Sequence, residues 1–208
     1  MKVKLLMLLL ILFVVAGCFT YEETIVINKD GSGVMLVHYY GSRKNNIDSD
    51  GLSLYLGSKR EIKYKIMDDY TTKKVRLTDF YIRDRGSYRH VYFTIEFPDF
   101  DELNKTYRFR RNKIAFRRSN GLYYFRRNFE VEGDSDFAYS ENEFEAAVKS
   151  ALKKTILDRI KFIFEVEMPH QIIDSNSNRI KLKRVSLWKY TLGDLLEKEY
   201  VTMWVKGR

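Results

Sequence analysis

Four sets of residues could do chemistry in this chain. The first is a basic and aromatic stretch. Residues 105–127 hold nine Lys or Arg and no acid, interleaved with Tyr107, Phe109, Phe116, Tyr123, Tyr124 and Phe125. Guanidinium forks match phosphate and carboxylate oxygens two at a time, and tyrosines suit a bilayer interface. Arg108, Arg110, Arg117, Tyr124 and Arg126 are therefore candidate contacts to an anion or a lipid headgroup. The competing reading is a solvated hairpin whose arginines pair with Glu130, Glu132, Asp134 and Asp136 next door. The second set is His38, His90 and His170. They lie far apart, and none has a second ligand at helical or strand spacing, so a metal would need tertiary convergence. Neither a metal nor a cofactor is expected. The third set is carboxylates. Asp68-Asp69 and Asp99, Asp101 and Glu102 could supply an acid and a base, but carboxylates in turns more often cap helices or face water. Asp48-Ser49-Asp50-Gly51 starts like a calcium loop, yet Leu52 and Leu54 stand where oxygen ligands are needed. No serine has a nucleophile-elbow context. The expectation is a protein that is not an enzyme. The fourth set is one thiol, Cys18, the only cysteine.

The setting of Cys18 explains its solitude. Residues 1–4 are short and basic, residues 5–16 are wholly apolar, and Ala16 and Gly17 are small. This is the order of a secretory leader. A run of about a dozen residues is short of the roughly 20 that span a bilayer, and an acidic rather than basic stretch follows. Val15-Ala16-Gly17-Cys18 resembles the lipobox of bacterial lipoproteins. The resemblance implies cleavage after Gly17, a thioether-linked diacylglyceryl group on Cys18, and fatty acylation, such as palmitate, of the new terminus. Two acyl chains, at about 0.8 kcal/mol per buried methylene, make a lasting anchor. The expected organisation is a signal peptide over 1–17, a lipidated tether over 18–23 and one exported domain over 24–208. With Cys18 acylated, that domain has no thiol for a disulfide and rests on packing alone.

Charge supports one local feature. The chain is +9 at pH 7; without Lys2 and Lys4 it is +7. Residues 105–127 exceed that surplus, so the remainder is slightly acidic. Only two prolines are present, and no repeat or low-complexity tract is visible. The stretch 42–58, rich in Asn, Ser and Gly, reads as a loop.

These residues must be positioned by hairpins. Strands are expected at 24–28 and 34–40 around an Asp30-Gly31 turn, then at 62–67, 75–82 and 88–97, the last stopped by Pro98. Residues 99–104 read as a short helix or turn. Residues 107–131 read as a hairpin around Asn120-Gly121, the favoured type I′ pair. That register pairs Phe116 with Phe125, Arg117 with Tyr124 and Ala115 with Arg126. It sets Ile114, Phe116, Tyr123 and Phe125 on one face and Arg117, Tyr124 and Arg126 on the other. Ser140 and Glu143 fit a capping box, and Phe144, Ala147, Val148, Ala151, Leu152 and Ile156 draw one apolar stripe, so an amphipathic helix is expected over 140–156. Alternation then predicts strands over 160–168, 180–188 and 200–205. The expected class is α+β: an antiparallel sheet of hairpins packed against one main amphipathic helix.

The order of pieces resembles the LppM-type domain of bacterial lipoproteins. The matching residues are the cysteine followed by a strand and Asn28-Lys29-Asp30-Gly31-Ser32-Gly33, the run Phe97-Pro98-Asp99-Phe100-Asp101-Glu102-Leu103-Asn104, and Glu167-Met168-Pro169-His170. An Asn-containing turn and a strand with Trp188 follow. A glycine is expected after Pro169 and is absent. The resemblance implies an α+β module tied to the cell envelope, with lipid or glycolipid binding in some members. The expected function is a non-enzymatic envelope lipoprotein, anchored at Cys18 and facing the periplasm or cell exterior, that binds a lipid, an envelope polymer or anionic headgroups. The alternative is a structural component docking another envelope protein. Phe19 is not the aspartate that retains many lipoproteins in the inner membrane, so an outer membrane is favoured where there are two. A nucleic-acid partner is not expected.

Overall fold

The computed structural model describes residues 19–42, 47–49, 52–54, 56–130, 157–198 and 200–208. The leader, Cys18 and the helix expected over 140–156 lie outside them. Thirteen strands are described. A seven-stranded sheet has the order β11(Arg179–Lys181), β12(Val185–Thr191), β9(Ile160–Glu167), β1(Phe19–Ile27), β2(Gly33–Ser42), β6(Tyr88–Phe97) and β5(Arg76–Arg85). A four-stranded sheet has the order β10(Ile172–Ser175), β13(Val201–Gly207), β8(Leu122–Phe129) and β7(Ile114–Ser119). A small pair joins β3(Ile47–Ser49) to β4(Leu52–Leu54). The strand pairs are antiparallel except β1 with β9.

The expected α+β class is corrected: the described structure is mostly β, with short helices and no main amphipathic helix packed on hairpins. Two causes are visible. The Arg-rich hairpin builds a second sheet with β13 and β10 instead of extending the first. The 62–67 segment, expected as a strand, lies inside the longest described helix, α1(Lys59–Tyr70). Ser58 caps it and Glu61 closes the capping box, and Ile62, Ile66 and Tyr70 recur every four residues on its buried face. Two further short helices, α2(Phe100–Leu103) and α3(Leu192–Leu196), and a 3₁₀ turn at Tyr107–Phe109 sit between strands. The described part of the stretch expected as a tether, 19–23, lies in the sheet. Strand β1 starts at Phe19, and Phe19, Thr20 and Tyr21 are buried.

Both sheets obey period two. In β1 the odd residues from Phe19 to Ile27 are buried, and in β8 Tyr123, Phe125, Arg127 and Phe129 are. These inner faces meet. Phe129 lies 4.9 Å from Phe164 and 6.3 Å from Phe162, ring centre to ring centre, while Phe100 bridges Phe97 at 5.0 Å and Phe125 at 6.3 Å. Helix α1 closes the same core through Tyr70, whose ring meets Phe93 at 4.9 Å. Asn176 ties the sheets together beyond the core. Its Oδ1 accepts from Trp188 Nε1 at 3.1 Å and from the Trp204 amide at 2.9 Å. Gly33 is required where β1 turns into β2, since a Cβ there would lie 2.5 Å from the Val26 carbonyl oxygen.

Candidate functional site

The hairpin register expected from Asn120-Gly121 is the one found. Phe116 pairs with Phe125, Arg117 with Tyr124 and Ala115 with Arg126. Asn120 and Gly121 take φ of 51° and 74°, as a type I′ turn needs. Strand β13 continues each row, placing Lys206 beside Tyr124 and Trp204 beside Arg126. The outer face of the four-stranded sheet thus carries Arg117 and Lys206 about the Tyr124 ring, with Arg126 in the next row of the same face. The Arg117 guanidinium is 5.1 Å and the Lys206 ammonium 5.8 Å from the centre of Tyr124. Among the described residues no carboxylate pairs with Arg117, Arg126 or Lys206. Of the acids expected to offset this face, Glu132, Asp134 and Asp136 lie outside the described residues. Arg110 is exposed on the turn after the 3₁₀ segment, its guanidinium 5.5 Å from the ring centre of Tyr107.

Arg108, grouped with these by sequence, is elsewhere. It is 5% exposed, inside the sandwich, because the 3₁₀ turn aims it inward beside Phe109. Arg127 is buried beside it, on the inner face that its parity with Phe125 dictates. Arg127 Nη1 bonds Glu23 Oε1, and both side chains are 1% exposed. Tyr21 donates to the other carboxylate oxygen at 2.7 Å. Burial, then Glu23, push the Tyr21 hydroxyl well above the usual phenol range, so it stays a donor. Arg127 lies within 5.2 Å of the ring centres of Phe109, Phe129 and Phe164. Arg108 lies 5.8 Å from Tyr21 and 5.6 Å from Phe129. Among the described residues none of its three guanidinium nitrogens meets hydrogen-bond geometry, yet against the cost of burial Tyr70, Tyr21 and Glu23 nearby hold it above the usual guanidinium range. This cluster belongs to the core and cannot touch a headgroup.

Sequence reasoning kept the histidines apart, but the fold joins two of them. His38 on β2 and His90 on β6 share the outer face of the seven-stranded sheet, with Nε2 of the first 3.1 Å from Nδ1 of the second. Glu22 holds His38 Nδ1 at 3.0 Å, and that bond keeps the Glu22 carboxyl below the usual carboxylate range. Tyrosines extend the pair into a column of near-parallel rings. Tyr81 stacks on Tyr92 at 4.5 Å, Tyr92 on His38 at 4.1 Å, and Tyr40 on His90 at 4.8 Å. Among the described residues no three His, Cys, Asp or Glu converge as a metal site. The third histidine, His170, stacks on Tyr123 instead.

Burial, then His38, Arg85 and Arg83, hold His90 below the usual imidazole range, with Asp84 opposing. The folded chain therefore takes this proton later than the unfolded chain, whose imidazole titrates near 6.5. Stability is full above about pH 6.5 and falls as pH drops through that value towards the depressed folded one. Thermal melts from pH 7.5 to 5 are expected to show this fall, and His90→Gln to flatten it. Melts of wild type and variant that fall in parallel would refute it.

The carboxylate candidates have local roles. Asp99 caps α2 by accepting from the Glu102 amide at 2.7 Å, and Glu102 accepts from Lys74 and Lys105 at 3.1 and 2.7 Å. A surface depression lined by Asn28, Ser32, Lys74, Arg76 and Glu96 lies by the β1–β2 turn. Its cations are partnered, Lys74 by Glu102 and Arg76 by Glu96.

In comparison with solved structures, the chain resembles the folded domain of the Mycobacterium tuberculosis LppM protein, determined by NMR. The TM-score is 0.51 at 16% identity, over 92% of this chain and 90% of that one. The resemblance drawn from sequence thus holds at the level of fold. No curated protein sequence matches. The family model described as LIC11874-like matches residues 13–206. With nearly the whole chain inside that match, the protein belongs to the LIC11874-like family.

Proposed function

We propose that this chain is a non-catalytic bacterial envelope lipoprotein, anchored through acyl chains on Cys18, whose sandwich binds an anionic partner on the outer face of its four-stranded sheet. The observation that carries the binding site is the row of Arg117, Tyr124 and Lys206 beside Arg126, three cations on one face, two of them over one ring, with no carboxylate partner among the described residues. Anchoring is supported by Val15-Ala16-Gly17-Cys18 and the apolar run before it. The envelope setting is supported by the fold shared with LppM. The partner's chemistry is phosphate or carboxylate, presented by a lipid headgroup or by an envelope polymer.

Binding to phosphatidylglycerol vesicles and to polyphosphate separates these two sources. At about 1 kcal/mol per basic residue at an anionic surface, Arg117→Glu with Arg126→Glu is expected to weaken the binding at least about thirtyfold. Raised salt should weaken wild-type binding in the same direction. Equal binding by variant and wild type would overturn the site. A single discrete protein adduct on crosslinking in cells, with neither probe bound, would favour the docking of another envelope protein.

A further inference from the structure

Cys18 immediately precedes Phe19, where β1 begins. Phe19 and Thr20 are already buried in the sheet. On the reading that Cys18 is acylated, no spacer separates the lipid from the fold, and the end of the sandwich where β1 starts abuts the bilayer. Register identifies what shares that end. Thr20 pairs with Tyr40 and Lys161, Tyr40 with His90, and His90 with Arg83. The tip of the Arg-rich hairpin lies towards the other end, while Arg127 reaches Glu23 at the middle of β1. Phe116 packs over Gly31, in the turn that follows β1. Nine residues of strand, at about 3.3 Å each, separate the two ends.

The outer face of the seven-stranded sheet divides the same way. Its near half holds the column of Tyr81, Tyr92, His38, Tyr40 and His90, flanked by Arg83, Arg85 and Lys161. Tyr81 is 46% exposed, on the edge strand. Among the described residues the carboxylate within this half of the face is Glu22, which His38 holds, and Asp84, between Arg83 and Arg85, is taken by Arg89. The far half carries acids instead. Glu96, Glu165 and Glu167 sit there with Arg76, Lys181 and Arg184 as their partners. Tyrosine prefers the depth of lipid headgroups, and arginine beside it meets their phosphates.

We infer that the near half of this face rests on the anionic leaflet that holds the Cys18 acyl chains, with Tyr81 and Tyr92 at interface depth and Arg83 and Arg85 on phosphates. The inference rests on the acylation of Cys18 and adds an orientation to it. The leaflet that holds the anchor is met by the seven-stranded sheet, and the Arg117 and Arg126 face is displayed away from that leaflet, where an envelope polymer or the headgroups of an apposed membrane or added vesicle can reach it.

Cys18 is the only cysteine and is blocked when acylated, so one introduced thiol can be labelled selectively. Ser87→Cys places a fluorophore in the β5–β6 turn at the near end, and Ser119→Cys places one at the hairpin tip. Each acylated full-length chain is reconstituted on phosphatidylglycerol and on phosphatidylcholine vesicles, and quenching by acrylamide in water and by headgroup-level nitroxide lipid is read. On phosphatidylglycerol the probe at 87 is expected to lose acrylamide quenching and gain nitroxide quenching, while the probe at 119 keeps its aqueous signal. Arg83→Glu with Arg85→Glu should return the probe at 87 to water with the chain still on the vesicle. Aqueous signals at both positions, protection at 119 alone, or equal protection at 87 on phosphatidylcholine each overturn the inference and leave the anchor intact. A mass spectrum showing a bare Cys18 thiol on the mature chain overturns the anchor itself, and the inference with it.

Discussion

Glu23→Leu is expected to cost about 3–5 kcal/mol of unfolding free energy, the loss typical of stripping one partner from a buried ion pair. Glu23 and Arg127 are both 1% exposed, and Glu23 is the hydrogen-bond partner Arg127 has. Its removal leaves two guanidinium groups in the core without a carboxylate, and it leaves the Tyr21 hydroxyl with the longer contact to Tyr70 Oη at 3.4 Å in place of its 2.7 Å bond. Ring faces attract cations by about 0.5–2 kcal/mol each, less than the several kcal/mol of desolvation that an unpaired ion suffers. Set against a typical total of about 5–15 kcal/mol, the loss leaves a marginal fold. Urea unfolding of wild type and variant measures it. A loss under about 1 kcal/mol, the worth of an exposed pair, would mean that water reaches the pair. The double variant Glu23→Leu with Arg127→Leu should recover much of the loss, because it removes the orphaned charge along with its partner. Full recovery is not expected while Arg108 remains.

This pair shows where sequence reading stops. That Arg127 faces inward was legible, since Asn120-Gly121 sets the register and parity groups Arg127 with Phe125 and Tyr123. Glu23 likewise shares parity with Tyr21 and Ile25. What pattern could not supply is that these two faces meet across 104 residues. Alternation says which residues of a strand are buried, and nothing about which sheet covers them. The His38–His90 contact was hidden for the same reason, because β2 pairs with β6 only after several intervening elements. The parallel pairing of β1 with β9 follows from tertiary closure too. Helix α1 is a different kind of miss. Ser58 and Glu61 stand at capping-box spacing, and Ile62 and Ile66 at helical spacing, so its signal lay in the chain and was outweighed by a short apolar alternation. The outer face of Arg117, Tyr124 and Arg126 was legible because it rests on local hairpin geometry alone. Arg108 was misplaced because a 3₁₀ turn has no alternation to follow.

Arg108 should respond to substitution with the opposite sign from Glu23. Arg108→Met keeps most of the apolar stem volume and removes a buried charge whose guanidinium nitrogens meet no hydrogen-bond geometry among the described residues, although Tyr70, Tyr21 and Glu23 attract it. Replacing buried ionic groups by apolar ones of similar size is often neutral or stabilising by about 1–4 kcal/mol. Two ring faces, Tyr21 at 5.8 Å and Phe129 at 5.6 Å, offset part of the desolvation and limit the gain. The expected result is therefore a denaturation midpoint at or above that of wild type. Arg127→Met should lower it, because Glu23 would lose its ion-pair partner. A drop of more than about 2 kcal/mol for Arg108→Met, more than these ring contacts supply, would mean that the cation is needed to balance Glu23, and that the core holds a three-residue charge network. The same variant separates core from surface. Arg108 is buried while Arg117 and Arg126 are exposed, so Arg108→Met should leave binding to anionic vesicles or polyphosphate unchanged where Arg117→Glu with Arg126→Glu weakens it. Only the second substitution alters the charge that an outside partner can reach.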